Sequence, residues 1–172
     1  AEDTAHEQGV VGGPTRTASV RNGLAAVPSD ATVILVHDAA RPFASADLYR
    51  SVIEAVRQGA DGSVPGLPVT DTVKMIEVVE AGTVGLSTSG AVPRVTGTPD
   101  RATLVAVQTP QAFRADVLRR AYLSEIDATD DAALVESIGG TVVVVPGEVD
   151  NRKITHPEDL EWARAFLKQG SR

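Results

Sequence analysis

Cysteine is absent from the 172 residues, which excludes a disulfide framework, a thiolate zinc site and a thiol nucleophile, and fits a reducing cytoplasm. Aromatic residues make up only 3%, so Val, Ala, Leu and Ile must fill the core, as they do in the buried strands and helices of α/β proteins. Long apolar runs are missing too. The longest, VILV and VVVV, fall far short of the roughly 18 residues that span a bilayer, and no charged start leads into an apolar stretch as in a signal peptide. A soluble chain is expected. Positive charge is scarce: 16 Lys and Arg against 23 Asp and Glu give a net charge of -7, which argues against a general nucleic-acid binder. Anionic small molecules remain candidates wherever Arg and Lys gather locally.

What is present reads as alternating strands and helices, and the length suits a single domain spanning 1–172. VVGG predicts a short strand stopping at a Gly-Gly-Pro loop. Val20, Leu24 and Val27 then share a helical face over 19–27, with Ser19 as cap and Pro28 as stop. TVILV predicts a buried strand. Leu48, Val52, Ile53 and Val56 mark a helix over 46–58, capped by Ser45 or Asp47 and ended by Gly59. GSVPGLPV predicts another strand, placed at an edge or bulge by its prolines. Strand, helix, strand implies a right-handed crossover and a parallel sheet.

Residues 72–101 break the rhythm with alternating Val, Ile and polar residues cut by Gly, and predict a projecting β-arm. TLVAVQTPQAF brings back a buried strand, followed by a helix with Val117, Leu118 and Tyr122 inward. The next helix is capped by Thr129 or Asp130 and stopped by Gly139 and Gly140. TVVVV is a strand, and HPEDLEWARAFLKQ an amphipathic closing helix with Pro157 in its first turn.

Ligands of open α/β sheets bind beyond the carboxyl ends of the strands, and the chemically suggestive residues stand there: HDAARP after Val36, TDT after Val69, QTPQ after Val107 and NRKIT after the last strand. Asp38 suits a metal ion or a sugar hydroxyl, against the plainer reading of a local ion pair with Arg41. Arg41 suits a phosphate, and Lys153 a transferring phosphate or solvent. Arg101 is a surface residue by default. Thr72 and Thr109 offer hydroxyls to phosphate oxygens or to backbone. Gly12 and Gly13, with Arg16 and Ser19 ahead of a helix, resemble an anion cradle. His37 alone reads as a structural histidine.

Taken in order, VVGGPTRTASV, VHDAARPF, PVTDTVK, DRATLVAVQTPQAF, ATDDAALVESIGG and NRKITHPEDLEWA resemble the 2-C-methyl-D-erythritol 4-phosphate cytidylyltransferase family over nearly the whole chain. The resemblance implies a Rossmann-like α/β fold, a mostly parallel sheet flanked by helices, and homodimers formed through the β-arm. It implies transfer of a cytidylyl group from CTP to methylerythritol phosphate with Mg²⁺ and release of pyrophosphate, in isoprenoid precursor synthesis. Gly12, Gly13 and Ser19 would then lie near the nucleotide, and Asp38, Arg41, Thr72 and Thr109 would contact the sugar phosphate. Arg101 and Lys153 would position that phosphate for attack, with Thr72 and Arg101 reaching into a partner's site. The metal ligands stay unassigned. No segment matches the Gly-rich, basic loop with which the family begins, and YLSEIDAT is shorter than its counterpart, so we expect the sequence to be part of a longer polypeptide. Two other functions fit the motifs: a ribitol 5-phosphate cytidylyltransferase, and a non-catalytic binding or dimerisation module without the triphosphate loop.

Overall fold

A computed structural model describes residues 8–77, 93–123, 128 and 130–170. The chain divides into two compact units, one of Ala1–Gly66 with Val107–Arg172 and the other Leu67–Ala106.

In the first unit, α1 (Arg16–Ala26) starts where the Thr15 hydroxyl accepts the Ala18 N–H at 3.1 Å. Thr15, not Ser19, is therefore the cap. Ser19 lies a turn inside and returns its hydroxyl to the Thr15 carbonyl at 2.9 Å. The strand expected at Val10 and Val11 does not form, and Val11 is 86% exposed; among the described residues no strand pairs with this segment, and an unpaired valine pair has no ladder to hold it. β1 (Val33–Val36) follows. α2 (Ala46–Arg57) is capped by Ser45, whose hydroxyl accepts from Leu48 N–H, and buries Leu48, Val52 and Val56 on one stripe. It ends at Gly59, whose φ of 114° is the left-handed geometry that glycine reaches without strain.

β2 (Gly62–Pro68) lies inside the sheet, contrary to the expectation of an edge. It pairs antiparallel with β6 (Gln111–Arg114) through Gly62 and Ser63, and parallel with β7 (Val142–Pro146) from Gly62 to Gly66. Pro65 is tolerated for a local reason, and Pro68 is the last residue of the strand. The carbonyl of Pro65 accepts the Gln108 N–H at 2.8 Å, so its missing N–H faces the same way, toward the stretch Gln108–Pro110, which is not strand. The single strand expected from TLVAVQTPQAF is thus two, β5 (Val105–Val107) and β6.

The strand order is β1-β6-β2-β5, with β7 also paired to β2. Because β6 runs antiparallel to both β1 and β2, and β7 parallel to β2, the strands β1, β2 and β7 point the same way around one reversed strand. Alternation along the strands divides the core into two layers. Ile34, Val64 and Phe113 pack with α1, α3 (Ala115–Ala121) and α4 (Asp131–Ser137) through Leu24, Leu118 and Leu134. Val33, Leu35, Ala112 and Val145 pack on Val52 and Val56 of α2. The result is an α/β sheet with helices on both faces.

α5 (Pro157–Gly170) closes the unit. Trp162 and Phe166 stack at 5.2 Å and both meet Phe43 edge-on, at 5.6 and 5.0 Å, while the Arg152 guanidinium lies 4.6 Å over the Trp162 ring.

In the second unit, β3 (Met75–Ile76) pairs antiparallel with β4 (Val95–Gly97), the two ends of the expected arm. Its middle, 78–92, lies outside the described residues, as does most of YLSEIDAT. A 3-10 turn at Arg101–Thr103 is capped by Asp100. Among the described residues no helix is long and apolar enough to cross a membrane.

Candidate functional site

The loop after β1 folds back on itself: the Arg41 N–H reaches the Asp38 carbonyl at 2.9 Å. The segment after β7 docks on this turn, because the Ile154 N–H donates to the Ala40 carbonyl at 2.8 Å. That single main-chain bond brings Lys153 alongside. Its Nζ stands 3.1 Å from Asp38 Oδ2, and Arg41 Nε stands 3.7 Å from the same oxygen. The local ion pair between Asp38 and Arg41 therefore exists, but it is part of a three-member group with one carboxylate and two cations.

Arg41 is held hard. Its side chain is only 13% exposed, its Nη1 donates to the Asn151 carbonyl at 2.8 Å, and burial lowers its pKa against the opposing pull of Asp38. An arginine shifted in this way still carries its charge at neutral pH. Its Nε is buried without a hydrogen bond. Lys153 is 48% exposed and presents the accessible charge.

Thr109 joins the group from the turn between β5 and β6. Its Oγ1 accepts the Asp38 N–H at 2.9 Å and lies 3.0 Å from His37 Nδ1, while His37 Nε2 lies 3.0 Å from the Arg41 carbonyl. Asn151, fully buried, donates its amide to the Thr109 carbonyl at 2.8 Å. Gln108 donates to the carbonyls of Glu148 and Asn151 at 2.8 and 3.2 Å and accepts the Glu148 N–H at 3.0 Å. Neither Asn151 nor Gln108 stands out in the sequence as a site residue.

Gly12, Gly13 and Ser19 come together in a second loop. Gly13 N–H donates to Ser19 Oγ at 2.9 Å, and a Cβ on Gly13 would meet the Ala18 Cβ at 2.4 Å, so no side chain fits there. Arg16, at the start of α1, anchors this loop to a buried acid: its Nη1 reaches Asp131 Oδ1 at 3.3 Å and its Nη2 the other oxygen, with the Tyr122 hydroxyl also donating to Asp131. Burial works against the Arg16 charge, but the Asp131 hydrogen bond and charge outweigh it, with a smaller contribution from Asp38, and the net shift is upward. Burial, then Asp131, pushes the Tyr122 phenol well above its ordinary value. An apolar cleft of about 260 Å³ is lined by Val20, Leu24 and Val27 of the α1 segment, by Ile34 and Val36 of β1, and by His37.

Arg101 and Thr72 belong to the second unit. There the Arg101 Nη1 donates to the Thr70 carbonyl at 2.7 Å, and Thr72 is exposed. Among the described residues no three His, Asp or Glu side chains come together as metal ligands. The one carboxylate of the main cluster, Asp38, is already neutralised by Lys153. These residues do not by themselves make a magnesium site, which asks for oxygen ligands free of competing cations.

The chain that brings an Asp, two cations and a threonine together at the ends of different strands matches, over residues 4–169, the family model of 2-C-methyl-D-erythritol 4-phosphate cytidylyltransferase. This chain belongs to that family. It is 48% identical over 159 residues to the 2-C-methyl-D-erythritol 4-phosphate cytidylyltransferase of Streptomyces avermitilis, covering 92% of this chain and 61% of that one. It is 52% identical over 164 residues to a bifunctional enzyme IspD/IspF of Anaeromyxobacter dehalogenans, covering 92% and 39%. The chain thus spans about three-fifths or less of the length of these curated relatives. A crystal structure of the Thermus thermophilus cytidylyltransferase superposes with a TM-score of 0.74 at 37% identity, over 91% of this chain and 71% of that one. The 4-diphosphocytidyl-2C-methyl-D-erythritol synthase of Anaerococcus prevotii gives 0.76 at 34% identity, over 91% and 68%. Both share the α/β architecture described above.

Proposed function

We propose that the protein transfers the cytidylyl group of CTP to the phosphate of 2-C-methyl-D-erythritol 4-phosphate and releases pyrophosphate. The observation that carries this reading is the group formed by Arg41, Lys153, Thr109 and Asp38, set by three chain segments far apart in sequence. In an in-line displacement an oxygen of the sugar phosphate attacks the α-phosphorus while pyrophosphate leaves. The protein needs no nucleophile of its own, only alignment of two anions and neutralisation of growing charge.

Arg41, with a buried Nε donor lacking a hydrogen bond, and the half-exposed Lys153 suit the sugar phosphate. Asp38 is an acceptor for a polyol hydroxyl. Gly12, Gly13 and Ser19 suit the nucleotide, since two successive glycines carry no side chain to keep a base or ribose from the main chain. Thr72 and Arg101 serve a partner's site from the arm in a homodimer, and the work takes place in the cytoplasm, where a cysteine-free chain is at home. This cluster also explains how an acidic protein handles anions, by local concentration of charge.

Pyrophosphate release from the full polypeptide with CTP, methylerythritol phosphate and Mg²⁺ tests the proposal, with ribitol 5-phosphate as the competing acceptor. Preference for ribitol phosphate, or release with neither acceptor, would sink it. Failure to bind CTP would favour a binding module instead.

A further inference from the structure

The hydrogen-bond directions around His37 follow from one partner. The Arg41 carbonyl can only accept, so His37 Nε2, 3.0 Å away, must carry the ring proton. Nδ1 is then the lone-pair nitrogen of the neutral ring, and the Thr109 hydroxyl, 3.0 Å from it, must donate. The same oxygen accepts the Asp38 N–H at 2.9 Å. In this state the Thr109 hydrogen is committed to the imidazole and cannot be given to a phosphate oxygen. A proton on Nδ1 reverses that bond. The Thr109 oxygen then accepts twice, from Asp38 N–H and from His37 Nδ1–H, which fills both lone pairs and frees its hydrogen for a ligand. The imidazolium also adds a positive charge beside the two cations.

We propose that His37 is a positioning residue of the anion site: binding of a phosphate-like anion at Arg41 and Lys153 draws a proton onto His37, which turns the Thr109 hydroxyl from the imidazole to the ligand. This rests on the reading of the cluster as the acceptor phosphate site. The charged and titratable groups around the ring are Asp38 and Arg41 on its own loop, Tyr49 of α2, whose ring meets the imidazole edge-on at 5.5 Å, Lys153 after β7, held on Asp38, and Arg16 of α1, which Asp38 attracts. Thr109 and the cleft residues Val20 and Leu24 bring no charge. Burial raises the Tyr49 phenol, so it stays neutral. Anion binding adds negative charge to this set, and the imidazole is the group in it whose second ring nitrogen, facing the Thr109 hydroxyl, is open to a proton.

Sulfate is the probe, because it does not titrate between pH 6 and 8. Calorimetry of the full chain in buffers of different ionisation enthalpy is expected to show sulfate binding with uptake of about one proton at the alkaline end, and affinity falling by about tenfold per pH unit there. Imidazole ¹⁵N spectra are expected to show the Nε2–H form without sulfate and a doubly protonated ring with it. His37→Asn places an amide donor near the Nδ1 position, so its sulfate affinity should lose its pH dependence. Thr109→Val should weaken binding several-fold and Thr109→Ser restore it. An Nδ1–H ring in the free chain, or sulfate bound equally at pH 6 and pH 8 without proton uptake, would overturn the proposal. Absence of sulfate binding at every pH would overturn it together with the acceptor-site reading. Proton-linked binding without pyrophosphate release would overturn cytidylyl transfer alone.

Discussion

Lys153 and Arg41 stand on the same carboxylate oxygen yet do different work. Arg41 is nearly enclosed and tied to the Asn151 carbonyl, so it sets a fixed position, whereas Lys153 is half-exposed, and under the proposed function it is the cation that can follow the transferring phosphate. Lys153→Ala and Arg101→Ala are each expected to slow turnover by about a hundredfold, the usual loss for one transition-state donor, with an unchanged circular dichroism spectrum; full activity of either would refute its assigned role. Asp131 presents the opposite case, a buried acid that faces no solvent. Asp131→Asn keeps the shape but leaves Arg16 without its counter-charge. Removing one partner of a buried pair is strongly destabilising, and the cost is put at about 2 kcal/mol here because Arg16 is still a third exposed. A urea midpoint equal to that of the parent would contradict this.

Helices were legible in the sequence because their signals are local. Ser45, the apolar stripe of Leu48, Val52 and Val56, and Gly59 define α2 to within a residue, and Asp130 opens α4 as its hydroxyl-and-acid context suggests. Strand direction is not local. The reversal of β6 depends on its register with β1 and β2, which no window of residues displays, and the prolines of β2 pointed to an edge because their tolerance depends on a break in a neighbour remote in sequence. The site divides in the same way. Asp38, Arg41, Thr109 and Lys153 stand out as polar residues at strand ends, but Gln108 and Asn151 act on main-chain carbonyls and so leave no pairing pattern to read. At the level of elements, α5 carries its own pH dependence. Asp159 accepts from the Thr155 and His156 N–H groups at 3.0 and 2.9 Å, which together hold its carboxyl below the ordinary value of 3.8. A depressed carboxylate stabilises the fold above its ordinary pKa and loses that contribution as pH falls through the lower, folded value. Fraying at the start of α5 is therefore expected below pH 3.8 and at all pH values in Asp159→Ala. Amide exchange at Thr155 and His156 reports it, and equal protection in the variant at pH 7 would disprove it.

For the whole molecule, the reading of residues 72–101 as a dimer arm makes a separable claim. Replacing 78–92 by a short Gly-Ser turn is expected to convert a dimer into a monomer in sedimentation while sulfate binding at Arg41 and Lys153 persists. A variant that remains dimeric would place the interface elsewhere.

The bonds that draw together the three segments around Asp38 converge mainly on main-chain oxygens: those of Ala40, Thr109, Glu148 and Asn151 accept from Ile154, Asn151, Gln108 and Arg41. Every amino acid carries such an oxygen. A replacement at Ala40 leaves its acceptor in place, so the side chain there can change while the frame that holds the charges stays, whereas Glu148 also takes the Ser45 N–H on its carboxylate and is fixed by more than its main chain.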